Sequence, residues 1–354
     1  MKKGWKIVLI VLAAIVAAAG GFLAFLSVTE YRPDDIEYVQ ANYLGESETP
    51  GDAISVLSWN IGYCGLGENE SFVMDGGTGS GKPSDENFDT YYNGVLKSLA
   101  GFDADIYMLQ EVDKDSTRSR HYNESELIPT NLNLYSSAYA LNYSCPFVPF
   151  PWPPIGEVNS GILTATDFKI NYGQAERIAL PCPFSWPLRT ANLKRCLLVS
   201  RVFLPDSEQE LVMVNLHLEA YDSGEGKAAQ TKMLMDFIEA EYEKGNYVIA
   251  GGDFNQTFPG GLEAYPMQSG ELWAPGTLSE ADLPEGFSFA YDTSAPSCRS
   301  LDRALDASDQ TFQYYVIDGF ILSPNVTLAS VETQDLGFKY SDHNPVLLKV
   351  TLEK

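Results

Sequence analysis

The sequence predicts an α/β domain of about 325 residues behind one N-terminal membrane-spanning helix. Three observations carry that expectation. Eight short runs rich in β-branched and aromatic residues lie between residues 53 and 352. Two longer stretches repeat apolar residues at helical spacing. At the start of the chain, Ile7 to Val28 is a stretch of 22 residues without a charge. At a helical rise of roughly 1.5 Å per residue that length crosses a bilayer.

Lys2, Lys3 and Lys6 precede the apolar stretch. Basic flanks stay on the cytoplasmic side, so a single-pass signal anchor places the body outside the cell membrane. A cleaved signal peptide, with Ala17-Ala18-Ala19 as its small-residue site and a secreted product, is the alternative. The run continues through Phe22, Leu23, Phe25 and Leu26, past the usual h-region of about 7–15 residues, which favours the anchor. No cysteine follows it to carry a lipid. The organisation read from these features is a basic segment and anchor over 1–28, a polar acidic tether over 29–52, and the α/β domain over 53–354.

Charge narrows what the domain can do. The chain has 23 Lys plus Arg and 48 Asp plus Glu, a net −25. Three of the lysines belong to the leader, which has no acid, so the body stands at 20 − 48 = −28. Such a surface cannot draw its affinity from neutralising nucleic-acid phosphates. It can act on a phosphate ester if metal ions supply local positive charge. With 45% hydrophobic and 20% charged residues, disorder is excluded. Five cysteines in this length are no disulfide framework and include no CxxC pair. Cys145 and Cys182, in the similar segments CPFVPFPWPP and PCPFSWP, are the preferred pair.

The β-rich runs are Ala53–Trp59, Asp105–Gln110, Gly161–Thr166, Cys196–Leu204, Leu211–His217, Tyr247–Gly251, Tyr314–Leu322 and Pro345–Leu352. One helix aligns Phe88, Tyr92, Val95, Leu96 and Leu99, with Gly101 placed to end it. The other runs from about Gly226 to Lys244 and ends on Gly245. Cys64–Asp85 reads as an exposed insertion, because its GTGSGKPS lacks P-loop spacing. Two Pro-rich segments carry Phe147, Phe150, Trp152, Phe184 and Trp186. Dense proline excludes central strands and helix interiors. These rings are expected to pack as a satellite core under the loops, the alternative being an exposed rim on the site's face.

Polar residues recur at the ends of the apolar runs. Asn60 ends SVLSWN, Glu111 ends DIYMLQE and His217 ends LVMVNLH. Asp253 and Asn255 follow YVIAGG, Asp318 lies in YVIDGFIL, and Asp342 with His343 opens SDHNPVLLKV. A polar residue past one strand is an ordinary loop entry, and His121 in RSRHYNES is read that way. Several such residues supply the carboxylate and amide oxygens that a hard cation such as Mg²⁺ prefers.

Taken in order, WN, LQE, NLH, GDFN, IDGF and SDH resemble the motifs of the metal-dependent endonuclease/exonuclease/phosphatase superfamily, over essentially Ala53 to Leu352. The resemblance implies the DNase-I-like fold, a four-layer α/β sandwich of two mixed sheets flanked by helices. It implies Mg²⁺ or Mn²⁺, one or two ions, with Glu111 as principal ligand and Asn60 and Asp342 completing the site. It implies a pairing of His343 with Asp318, a water oriented or deprotonated beside Asp253, and hydrogen bonds from Asn255 and His217 to phosphate oxygens. The general base, Asp253 or His343, stays open. Abasic-site nucleases of the superfamily carry a Tyr/Asn pair where this chain has NLH, which turns the expectation from DNA repair.

The function so expected is a membrane-anchored, outward-facing phosphoesterase acting on a lipid or small phosphoester. An extracellular DNase-like endonuclease is the alternative, possible for the fold but disfavoured by charge. A binding module that has lost catalysis is the reading from another class. Arg118 and Arg120 could reach a phosphate or form a solvated charge run.

Overall fold

In the computed structural model, which describes residues 2–205, 207–270 and 272–353, the apolar runs pair into two seven-stranded sheets. From the N-terminus the strands are β1 (Ile36–Gln40), β2 (Asn42–Tyr43), β3 (Ala53–Asn60), β4 (Ile106–Asp113), β5 (Ser136–Val148), β6 (Gly156–Thr166), β7 (Gln174–Ala179), β8 (Cys196–Phe203) and β9 (Glu210–His217). There follow β10 (Tyr247–Asp253), β11 (Gln256–Thr257), β12 (Gly276–Thr277), β13 (Ser288–Ala290), β14 (Cys298–Arg299), β15 (Tyr314–Tyr315), β16 (Asp318–Leu322), β17 (Val326–Thr333) and β18 (Val346–Leu352). One sheet has the order β1-β7-β8-β9-β10-β16-β13, the other β17-β18-β3-β4-β6-β5-β2. Both are mixed, because β9–β10 and β3–β4 are parallel and the neighbouring pairs antiparallel.

Period-two alternation sorts the side chains into layers. Val56, Met108, Met213, Ile249, Phe320 and Leu348 meet between the sheets. Leu57, Trp59, Tyr107 and Leu109 point the other way, onto Phe88, Val95 and Leu99 of helix α2 (Asp85–Phe102) and Ile128 of α3 (Glu124–Leu132). On the far side, Val212, Val214 and Leu216 pack under Leu234, Met235 and Ile238 of α4 (Glu225–Glu243). The result is the four-layer α/β sandwich. At about 1.5–3 kcal/mol for each fully buried large aliphatic side chain, these layers dominate the folding energy.

Helix α2 starts on Ser84, whose hydroxyl accepts from Asn87 N at 3.1 Å. It does not stop at Gly101. It runs to Phe102, and Asp103 takes the left-handed cap with φ +48°. Gly245 does follow α4 as expected, at φ +89°. The Tyr314–Leu322 run splits into β15 and β16, since the carbonyls of Val316 and Ile317 accept from Phe258 and Phe254 after β10.

Three further expectations are corrected. Residues 29–52 are not a free tether: β1 pairs with β7 and β2 with β5, so the segment stitches one sheet to the other. Its alternation is too short and too exposed to read as strand from sequence. The Cys64–Asp85 insertion folds onto the body, with Phe72 N donating to Leu301 O and Arg299 bonding the carbonyls of Leu66, Gly67 and Glu70. All five cysteines are free thiols, Cys145 buried and Cys182 exposed, so the Cys145–Cys182 pair does not form.

The N-terminal helix α1 (Lys2–Val28) has 27 residues, roughly 40 Å of helix, and Gly4–Val28 is long and apolar enough to cross a membrane. Its last turn docks on the domain. Leu26 is buried with Cys145, Val148, Ile155 and Val158 of the β5–β6 hairpin.

Candidate active site

Strand register brings the polar chain ends together. In β10, Asp253 lies opposite His217 of the parallel strand β9 and opposite Asp318 of the antiparallel strand β16. Three residues far apart in sequence therefore stand side by side on one sheet edge. In the facing sheet, β18 pairs with β3 so that Val346 opposes Ser58, which sets the preceding Asp342 and His343 beside Asn60. Asn60 bridges the two sheets: its Nδ2 donates to Glu111 Oε1 at 3.2 Å and to Asp253 Oδ2 at 3.1 Å.

His343 and Asp318 form a buried pair, Nδ1 to Oδ2 at 2.8 Å. The Ser297 hydroxyl holds the same carboxylate oxygen at 2.8 Å, and Trp59 Nε1 holds the His343 carbonyl at 2.8 Å. The ring's other nitrogen, Nε2, lies 3.8 Å from Asp253 Oδ2. His217 Nε2 approaches the same oxygen at 3.3 Å. Burial would depress the His343 imidazolium, but the carboxylate of Asp318 outweighs it and holds the group well above the ordinary value. His217 lies well below, through burial, the Arg195 charge and His343. Burial pushes the Asp253 carboxyl up to about 6 against the pull of His343, with Asp318 raising it further. Asn255, at φ +50°, turns its amide onto Leu218 O at 2.9 Å and its backbone N–H onto Asp253 Oδ1 at 2.9 Å.

Glu111 sits where β4 slips register against β6, at φ +51°. A bulge of this kind re-aims a side chain at a site edge, here next to Asn60. Asp342 reaches the same corner through Gly62. Gly62 N donates to Asn60 Oδ1 at 3.1 Å, and a Cβ on Gly62 would lie 3.1 Å from Asp342 Oδ1 and 3.0 Å from Leu66 Cβ. With φ +52° as well, the position requires glycine. Burial raises the Asp342 carboxyl to about 6, with His343 opposing and Glu111 adding to the rise. The carboxylate oxygens of Glu111 and Asp342 fit a hard divalent cation, and Asn60, whose Oδ1 here accepts from Gly62 N, adds its amide oxygen when the amide turns over. The orphaned Asp318 Oδ1, and ligand atoms of Asp253, Asp318 and His343 within 4.8 Å of one another, place further donors nearby.

His121 is exposed and paired with Asp115, away from these groups. Arg118 is buried, forked onto Asp113 at 3.0 and 3.1 Å and stacked over Tyr63, so it braces β4 instead of facing solvent. Arg120 pairs with Asp89 on the surface. Sequence reasoning missed two supports. Gln110 Nε2 donates to Asn215 Oδ1 at 2.9 Å across the sandwich, and Asn215 Nδ2 bonds Leu163 O at 2.9 Å. Both lie inside the LQE and NLH motifs, whose middle and first letters carried the signal. The other is Asp75, delivered by the folded Gly-rich insertion, which accepts from Tyr221 OH at 3.0 Å. Burial pushes its carboxyl up to about 7, the Tyr221 bond opposing, with the charges of Asp342 and Glu111 adding to the rise.

The five loop aromatics are not a satellite core. Phe147, Phe150, Trp152 and Trp186 are exposed and Phe184 is half-buried, because proline-broken loops offer no layer to cover them. Strand direction places them. β6 is antiparallel to β4, so the β5–β6 turn leaves the edge that carries Glu111. β8 is antiparallel to β9, so the β7–β8 connection leaves the edge that carries His217.

Residues 57–343 match the family model described as Endonuclease/Exonuclease/phosphatase family. No curated protein sequence matches the chain. Among solved structures, the endonuclease/exonuclease/phosphatase from Beutenbergia cavernae superposes with a TM-score of 0.57 at 15% identity, over 86% of this chain and 72% of that one. The Bacteroides vulgatus endonuclease/exonuclease/phosphatase gives 0.53 at 16%, over 85% and 99%. ANGEL2, a 2′,3′-cyclic phosphatase in complex with adenosine-2′,3′-vanadate, gives 0.53 at 15%, over 91% and 100%. At such identities the likeness is one of fold, while the family match runs from β3 to the terminal histidine motif. Sandwich, motif order and match agree, and the chain belongs to the Endonuclease/Exonuclease/phosphatase family.

Proposed function

We propose that the protein is a membrane-anchored, divalent-metal-dependent phosphoesterase whose site opens along the membrane face, with a lipid headgroup or other small phosphoester as substrate. The observation that carries the reaction class is the Asp318–His343 pair, whose free ring nitrogen lies 3.8 Å from Asp253. Asn60, Glu111 and Asp342 would hold the cation, which when bound supplies positive charge against the phosphate oxygens. Asp318 fixes the Nδ1 proton of His343 and leaves Nε2 turned to the cleft, where it can pass a proton to or from the phosphate or the attacking water. Asp253 orients that water for in-line attack on phosphorus. His217 and Asn255 take the non-bridging oxygens, Asn255 exchanging part of its present bonding for the substrate.

What supports the membrane face is the shared edge. Both aromatic loops leave the sheets on the side of the catalytic cluster, and both touch the end of α1. Phe147 packs edge-on against Phe22 with centroids 6.3 Å apart, and Trp186 Nε1 donates to Ser27 Oγ at 3.0 Å. Aromatic side chains partition to membrane interfaces. The test is hydrolysis of bis(p-nitrophenyl) phosphate by the full chain with Mg²⁺ and with a chelator, followed by a panel of phospholipid vesicles, sugar phosphates and DNA. Hydrolysis that needs the metal and vanishes in Glu111→Gln is expected, with vesicles preferred over DNA. Turnover that survives either the chelator or the substitution would sink the assignment.

A further inference from the structure

A cavity of about 440 Å³ opens where the chain leaves α1. Its walls include Glu30, Arg32, Phe184, Arg189, Lys194 and Arg195. Four cations in one cavity are unexpected in a body with only 20 of them against 48 acids. Glu30 engages three: Arg32 at 2.8 Å, Arg189 at 3.1 Å and Lys194 at 3.8 Å. Arg195 is 4% exposed, its Nε has no hydrogen-bond partner among the described residues, and the Glu219 carboxylate stands 3.8 Å away. Counting Glu30 and Glu219 against the four cations leaves 4 − 2 = +2. The excess lies on Arg32 and Arg189, whose partly exposed guanidinium groups stand at the mouth of the cavity, open to an anion. Guanidinium forks match phosphate oxygens in shape as well as sign, and the volume lies in the range of small-ligand sites.

Glu30 and Arg32 are the first charged residues after α1, and Trp186 and Leu188 stand exposed on the same loop as Arg189. If α1 spans the bilayer, the cavity lies at headgroup depth, where guanidinium forks can meet lipid phosphate oxygens. We propose that this cavity binds the phosphate of an anionic phospholipid headgroup in the leaflet where α1 emerges. The inference rests on the anchor reading of α1. The ligand touches no reacting group: the link to the reaction centre is Arg195 Nη1, which donates to the His217 carbonyl at 3.4 Å.

Equilibrium binding of fluorescent phosphatidic acid and phosphatidylcholine to the full chain in detergent micelles tests it. Arg32→Gln with Arg189→Gln serves as the variant, since both side chains are partly exposed and neither belongs to the catalytic cluster. Phosphatidic acid should bind at least ten-fold more tightly than phosphatidylcholine, and the double variant should lose that preference while still hydrolysing the soluble diester. Equal binding of the two lipids, or an unchanged preference in the variant, overturns the proposal. Displacement of phosphatidic acid by equimolar inorganic phosphate would make the cavity a soluble-phosphate site and also overturn it. Flotation of the full chain with neutral phosphatidylcholine vesicles reads the anchor by itself. A chain that fails to float sinks the anchor, whereas one that floats without headgroup preference sinks only the cavity.

Discussion

Glu111 and Asn255 both hold left-handed backbone conformations, at φ +51° and +50°, in a site where Gly62 does the same. Non-glycine residues in that region cost of order 1–3 kcal/mol, and here the surrounding hydrogen bonds hold them in it. The cost aims Glu111 at Asn60 and folds the Asn255 backbone onto Asp253. The His343–Asp318 pair is the other residue-scale device. Asp318→Asn and His343→Ala should each lower kcat by roughly 10²–10⁴-fold, the usual span for a general acid–base group. Because the two act as a unit, the double variant should lose little more than the worse single. Multiplicative losses in steady-state kinetics would show independent roles.

At the scale of elements, register does the assembling, and polar bridges hold it. The Gln110–Asn215 amide pair ties β4 to β9 inside an apolar interlayer, one residue before Glu111 and two before His217. Asn215→Leu should cost about 1–3 kcal/mol in urea unfolding, because the buried carbonyls of Leu109 and Leu163 lose their donor and Gln110 loses one of its acceptors. A midpoint equal to wild type would show the bridge to be dispensable. A second clamp joins α4 to β8. Burial alone would raise the Glu241 carboxyl, but Arg201, Lys244 and Asn246 outweigh it and take it from 4.5 to about 2. A depressed carboxyl contributes stability that is present above its unfolded value and lost as pH falls through the folded one. The clamp should therefore weaken between pH 4.5 and about 2. Glu241→Gln should flatten that part of the melting-temperature profile, which thermal unfolding at stepped pH would read.

For the whole molecule, α1, the two aromatic loops and the edge that carries the acid–histidine cluster lie on one side. Trp152 is 86% exposed and Phe150 61%, at the tip of the β5–β6 turn. Exposed apolar patches of this kind mark contact surfaces. Phe150→Ser with Trp152→Ser should raise KM for a vesicle-borne phosphoester several-fold and leave kcat and KM for a soluble diester unchanged. An equal effect on both substrates would assign the loops to the fold alone. The net charge of −28 beyond Val28 acts at the same scale, and on the proposed reading it would disfavour a polyanionic substrate.

Much of this was legible in the chain itself. Alternating apolar runs, the α2 and α4 stripes and the six ordered motifs depend on local periodicity and residue chemistry, so they read directly. All eight candidate residues gather in one cluster because each closes or adjoins a strand. The pairing of β1 and β2, the folded Gly-rich insertion with Asp75, and the free thiols Cys145 and Cys182 were not readable. Strands of two to five residues carry too little pattern, and burial of a polar loop is settled by the surface that receives it. Local sequence determined which side chains could do phosphoester chemistry. Only tertiary structure decided their neighbours: strand register within one sheet set Asp253 between His217 and Asp318, and the antiparallel run of β6 and β8 set both aromatic loops on the edge of that cluster.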